Sequence, residues 1–137
     1  MKDPLSVLPG YALRRAASAS MARFAAQLEP LGLRIADLSA IMLVAANHGI
    51  TASQLGRLLD IQRANMVPLV ARLEDAGLIE RRPLDGKSHS LHLTAAGADR
   101  LARARVVVDQ FEQDLMERVP AAGRAHFKPA LDALWRD

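Results

Sequence analysis

The chain has 137 residues, half of them hydrophobic and 24% charged, which suits one folded domain with appended elements and excludes most large enzyme folds. Its 18 basic and 15 acidic side chains leave a formal charge of +3, compatible with nucleic acid without demanding it. The absence of cysteine excludes a disulfide framework, a thiolate zinc or iron–sulfur site and a peroxide-sensing thiol. With 4% aromatics and frequent alanine, the composition favours helices over an all-β sandwich. The longest strongly apolar run, around Leu38 to Ala46, falls short of the roughly 20 residues a membrane span needs. Lys2, Asp3 and Pro4 open no secretory apolar region, so a cytoplasmic protein without membrane contact is expected.

From Pro9 to Leu28 apolar residues recur at three- and four-residue steps, predicting a long first helix that Pro30 and Gly32 stop. A second helix is expected from Ile35 to about Asn47, ending at His48 and Gly49. Thr51 to Gln54 spell a capping box, in which the Thr51 hydroxyl takes the Gln54 amide and the Gln54 side chain reaches back to the Thr51 amide. The helix begun there breaks near Asp60 and Ile61. Another runs from about Arg63 to Ala76 before Gly77, and the brief turn between the two makes a helix-turn-helix candidate.

The period then changes. Leu78 to Arg82 read as a strand, Pro83 to Ser88 as a turn-rich tip carrying the Asp85-Gly86 hairpin signal, and His89 to Leu93 as a return strand. Thr94 caps a long helix to about Val119, and a last helix follows Pro120. The expected fold class is mostly α with a small β-wing, a winged helix-turn-helix flanked by N- and C-terminal dimerisation helices. Residues 1–33 form an N-terminal arm, 34–93 the DNA-binding unit and 94–137 the C-terminal dimerisation helices. Burying the arm stripes between two chains predicts a two-fold homodimer.

Leu31-Gly32-Leu33, Leu55 to Leu59, Leu73-Glu74-Asp75-Ala76-Gly77-Leu78-Ile79-Glu80-Arg81, Asp85-Gly86-Lys87 and Leu91-His92-Leu93-Thr94-Ala95-Ala96-Gly97 occur in this order. Over Leu8 to Trp135 the chain thereby resembles the MarR family of bacterial winged-helix transcriptional regulators. The resemblance implies a homodimer on pseudo-palindromic, double-stranded operator DNA, often released by a small aromatic or phenolic ligand. The chain departs from the family in three places. Gln62, Arg63, Ala64 and Asn65 stand where small hydroxyl residues are usual, and Lys87 where arginine is usual at the wing tip. Pro68 lies inside the recognition helix, where it is expected to kink the helix or cost about 3 kcal/mol; Pro129 raises the same question near the C-terminus.

On the recognition helix, Met66, Leu69, Val70 and Leu73 share one side, which leaves Ala64, Asn65, Pro68, Ala71 and Arg72 on or near the other. Gln62, Arg63 and Asn65 at its start are candidates for base edges or phosphate, Asn suiting adenine and Arg guanine. Thr51, Ser53 and Gln54 at the preceding helix N-terminus suit phosphate. Arg81, Arg82, Lys87, Ser88 and His89 are expected to carry the wing over the backbone and minor groove, with Asp85 orienting Arg81 or Lys87 by a salt bridge. Residues 54–92 hold six basic and five acidic side chains, so placement must matter more than total charge.

Tyr11 and Arg15, one helical turn apart, could offer an aromatic surface and a cation to a phenolic carboxylate, or simply form a surface or dimer-interface pair. His48, His89, His92 and His126 have no metal-ligand spacing. No phosphate loop, nucleophile elbow or zincin helix occurs, so no catalytic residue, metal or cofactor is expected. The reading is a homodimeric sequence-specific transcriptional regulator, a repressor released by a small-molecule effector. The alternatives are a winged-helix protein-interaction module without sequence-specific DNA binding, and a small-ligand carrier.

Overall fold

A computed structural model describes residues 1–137. The helices are α1 (Pro9–Leu28), α2 (Ile35–Ala46), α3 (Ala52–Leu59), α4 (Arg63–Asp75), α5 (Ala95–Arg118) and α6 (Arg124–Trp135). The antiparallel strands β1 (Ile79–Asp85) and β2 (Ser88–Leu93) form a hairpin between α4 and α5. Single 3-10 turns at Glu29–Leu31 and Ala121–Gly123 follow α1 and precede α6.

Local chemistry places most boundaries. Thr51 N–H donates to Gln54 Oε1 at 2.9 Å and Gln54 N–H to Thr51 Oγ1 at 3.2 Å, closing the capping box that starts α3. Asp60, in the left-handed region at φ 52°, ends α3 and turns the chain into α4. At the far end of α4, Gly77 takes φ 71°. Its N–H donates to the Glu74 carbonyl at 2.8 Å and that of Leu78 to the Leu73 carbonyl at 2.9 Å, a Schellman ending that aims the chain into β1.

The core gathers Leu38, Ile41 and Val44 of α2, Leu55 of α3, Met66, Leu69, Val70 and Leu73 of α4, and Leu78, Ile79 and Leu91 at the base of the hairpin. Burying each such side chain contributes roughly 1.5–3 kcal/mol. Leu28, Leu101 and Ala104 extend this core into α1 and α5, where the Phe24 and Phe111 rings stack at 4.4 Å. The start of α5 is locked onto the hairpin base: Thr94 Oγ1 donates to the Gly77 carbonyl, Thr94 N–H donates to the Leu78 carbonyl at 3.1 Å, and Gly97 N–H donates to Thr94 Oγ1 at 3.0 Å.

Two features differ from the reading of the sequence. The strands reach further toward the tip than alternation indicated, because β1 takes in Pro83 and Leu84 through an irregularity between Pro83 and Asp85, where an extra residue is absorbed without losing the pairing. A third extended segment joins the hairpin, with Leu91 N–H donating to the Ile50 carbonyl at 2.8 Å beside a Thr51–Ser90 bridge. As the expected helix bounds require, α4 continues through Pro68 and α6 through Pro129 without a break. Both prolines are exposed, so the carbonyls left without a donor at Ala64 and Ala125 can meet water.

Outside the core the arms stand nearly bare. Only Ser20 and Leu28 of α1 are buried, and α6 buries no residue. Leu8, Leu13, Met21, Leu134 and Trp135 all face solvent.

Candidate nucleic-acid interface

A concave groove of about 660 Å³ opens between α3, the N-terminal half of α4 and the hairpin. Thr51, Ser53, Gln62, Arg63, Arg81, Lys87, Ser88 and His89 line it together, so three separate stretches of the proposed DNA face converge. Arg57 and Val67 line it as well and were missed in the sequence. Arg57 lies one helical turn beyond Ser53 and Val67 three residues beyond Ala64, spacings that place each beside a residue already on the face.

Charge in the groove is lopsided. Arg57, Arg63, Arg81 and Lys87 face a single acid, Asp60. Arg81 Nε donates to Glu74 Oε1 at 2.7 Å, whereas Arg57, Arg63 and Lys87 form no ion pair. Three unneutralised cations around a concavity at the start of two helices attract a polyanion, reinforced by the partial positive charge of helix N-termini.

The remaining candidates separate from this group for physical reasons. Ala64, Asn65 and Pro68 are exposed on α4 outside the groove lining. Gln54 lies outside it too, its side chain committed to the Thr51 cap. Arg72 is a correction: it does not face outward but donates from Nε at 3.0 Å and Nη2 at 2.5 Å to Asp37 Oδ1 of α2. Arg82 is a second correction. Neighbouring strand residues face opposite sides, so with Arg81 toward the groove and α4, Arg82 turns away and donates to Glu80 Oε1 at 2.6 Å. Asp85 is a third, because it forms no salt bridge; the Arg81 guanidinium it was expected to orient is held by Glu74.

Tyr11 and Arg15 do meet, Arg15 Nη1 donating to Tyr11 Oη at 2.9 Å, with the Arg14 guanidinium 5.2 Å from the ring. They lie on the arm and line neither the groove nor the small cavity bounded by Arg23, Gln27, Phe111, Asp114, Leu115 and Arg118. No group of three His, Asp or Glu side chains is placed to hold a metal. No helix is long and apolar enough to cross a membrane.

Known proteins share this arrangement. A MarR family profile matches residues 31–88, from the turn after α1 to the wing tip. A Thauera aromatica protein named for a transcriptional regulatory role at the hcr operon is 32% identical over 93% of this chain and 78% of its own. The transcriptional repressor Rv2887 of Mycobacterium tuberculosis is 28% identical over 93% of this chain and 94% of its own. Among solved structures, the transcriptional repressor CouR bound to a 23-mer DNA duplex is 34% identical with a TM-score of 0.91, covering 99% of each chain. CouR bound to p-coumaroyl-CoA is 32% identical with a TM-score of 0.90, covering 100% of this chain and 98% of that one. With this fold, this groove and these relatives, the chain belongs to the MarR family of transcriptional regulators.

Proposed function

We propose that the chain is a homodimeric repressor that holds operator duplex on the α3, α4 and hairpin surface and releases it when a small aromatic ligand binds. The observation that carries the reading is the set of unpaired cations Arg57, Arg63 and Lys87 around the groove at the start of α4. Arg63 and Gln62 enter the major groove, Lys87 and His89 follow the adjacent backbone, and Thr51 and Ser53 receive a phosphate at the start of α3. Residues 1–33 and 94–137 pair the two chains. In the dimer the recognition helices must sit about 34–36 Å apart to meet successive major grooves.

That CouR has been captured both on duplex and with p-coumaroyl-CoA supports an aromatic acyl thioester or a related phenolic compound as the effector class. Such a ligand acts by linkage: one that prefers a spacing unsuited to DNA weakens DNA by the factor by which DNA weakens it. The work is binding rather than catalysis, carried out in the cytoplasm where the DNA lies.

The test is titration of the purified protein onto duplexes enriched from a random-core library, at two salt concentrations with unrelated duplex as competitor. Competitor-resistant binding by a dimer that weakens steeply with salt is expected. A protein-interaction module would enrich no sequence.

A further inference from the structure

Two apolar stripes run along α4. Met66, Leu69, Val70 and Leu73 are buried, none more than 4% exposed. Ala64, Val67 and Pro68, with the half-buried Ala71 beyond them, repeat the same three- and four-residue spacing on the solvent side, with Val67 63% exposed. A helix that merely faces water there would carry charged or polar side chains. Ala64, Val67 and Pro68 are left exposed by the chain, and their surroundings say what covers them. Arg63 opens it, and Arg57, Arg81 and Lys87 stand across the groove that Val67 helps to line. An apolar strip framed by cations complements the major groove, whose base edges lie between two rows of phosphates and whose thymines present a C5-methyl group.

We propose that α4 reads its operator chiefly through thymine methyl groups packed against Ala64, Val67 and Pro68, with polar base contacts confined to Gln62, Arg63 and Asn65 in its first turn. This rests on the repressor reading above. Ala64, Val67 and Pro68 have no side-chain donor or acceptor, so they cannot satisfy a polar base edge. They are also short, which lets the helix approach the groove floor closely. Methyl contact distinguishes thymine from cytosine and is lost in uracil, which differs from thymine only at C5.

The test uses the full-length chain and a duplex enriched from a random-core library, with each thymine replaced in turn by dU. The expected result is a weakening of about fourfold for each buried methyl removed, confined to positions facing α4 and repeated in both half-sites. Placing dC at such a position weakens binding, and 5-methyl-dC recovers part of the loss. In V67S the penalty for one dU falls below twofold, while mass and melting temperature stay unchanged. An enriched duplex that tolerates dU within twofold at every thymine overturns methyl readout and leaves the repressor reading standing. Failure to enrich any sequence overturns both.

Discussion

Arg72 of α4 and Asp37 of α2 are joined across the lobe, Nε and Nη2 of the guanidinium both donating to Oδ1 while Oδ2 accepts the Arg34 N–H at 2.8 Å. One carboxylate therefore caps α2 and holds α4 against it. Because α2 also packs on α5, this is a polar tie that links α4 through α2 to α5. Asp37 retains only 5% of its side-chain exposure, whereas Arg72 retains 37%. Asp37→Ala removes the partner of the Arg34 amide and of the Arg72 guanidinium together. It is expected to cost about 2–3 kcal/mol, from hydrogen bonds to a charged group discounted for the exposure of the arginine. Asp37→Asn preserves an acceptor for the cap and is expected to cost about half as much. Urea denaturation of both variants is the measurement, and a loss below about 0.5 kcal/mol for the alanine variant would remove the tie from the account.

Gly97 lies in the first turn of α5 with its α-carbon against the hairpin base. A Cβ there would stand 2.0 Å from the Leu78 carbonyl oxygen, an atom already fixed by the Thr94 N–H. In an exposed helix, glycine to alanine stabilises by about 1 kcal/mol. Here the sign reverses, because backbone meets backbone and neither can turn aside. Gly97→Ala is expected to lower stability by about 3 kcal/mol, the upper end of the usual cost of overpacking, because the contact is rigid. Thermal melting decides it: an unchanged or raised midpoint would mean that α5 is not docked in this way.

These two relationships show where reading the sequence succeeds and stops. The Thr51–Gln54 box and the Gly77 turn lie within a few residues of chain and depend on local chemistry, so their spelling sufficed. The separate fates of Arg81 and Arg82 are legible too, since strand alternation places them on opposite faces, although the basic pair reads as one patch when composition alone is weighed. Arg72 and Asp37 lie 35 residues apart, and Gly97 meets Leu78 only after α5 has docked. Helical periodicity places Arg72 near the outward side, but it does not reveal the Asp37 carboxylate on the neighbouring helix that draws the guanidinium inward. The Thr51–Ser90 bridge escapes for a similar reason, because a segment this short shows no alternation before its partner is known.

Lys87 and Arg63 should fail in different ways on DNA. Lys87 is an unpaired point charge near the wing tip, suited to phosphate, so Lys87→Ala should weaken all duplexes alike. Loss of one phosphate contact per protomer lowers the slope of log affinity against log salt by about 2 for the dimer. Arg63 opens the recognition helix, and Arg63→Ala should cost about 1–3 kcal/mol per half-site on the preferred duplex and relax specificity at one position. Titrations at several salt concentrations, on preferred and scrambled duplex, separate the two behaviours. Identical losses on both duplexes for Arg63→Ala would move that residue from the bases to the backbone.

The arms should carry the pairing of chains. Leu134 and Trp135 are 68% and 69% exposed at the end of α6, a helix that buries nothing within its own chain, and Leu8 and Leu13 are 48% and 43% exposed at the start of α1. A charge placed among these residues cannot be desolvated cheaply in a dimer but costs the isolated chain little, because it touches no core. Leu134→Asp should therefore halve the mass in solution while the lobe built on Leu38, Ile41, Leu55 and Leu73 still unfolds cooperatively. Operator affinity should drop by 100-fold or more, the order of magnitude expected when two linked half-site contacts become independent. Light scattering and DNA titration on the same preparation test both halves of this expectation. A variant that keeps the wild-type mass would place the dimer contact elsewhere, and one that becomes monomeric yet binds undiminished would separate operator recognition from pairing.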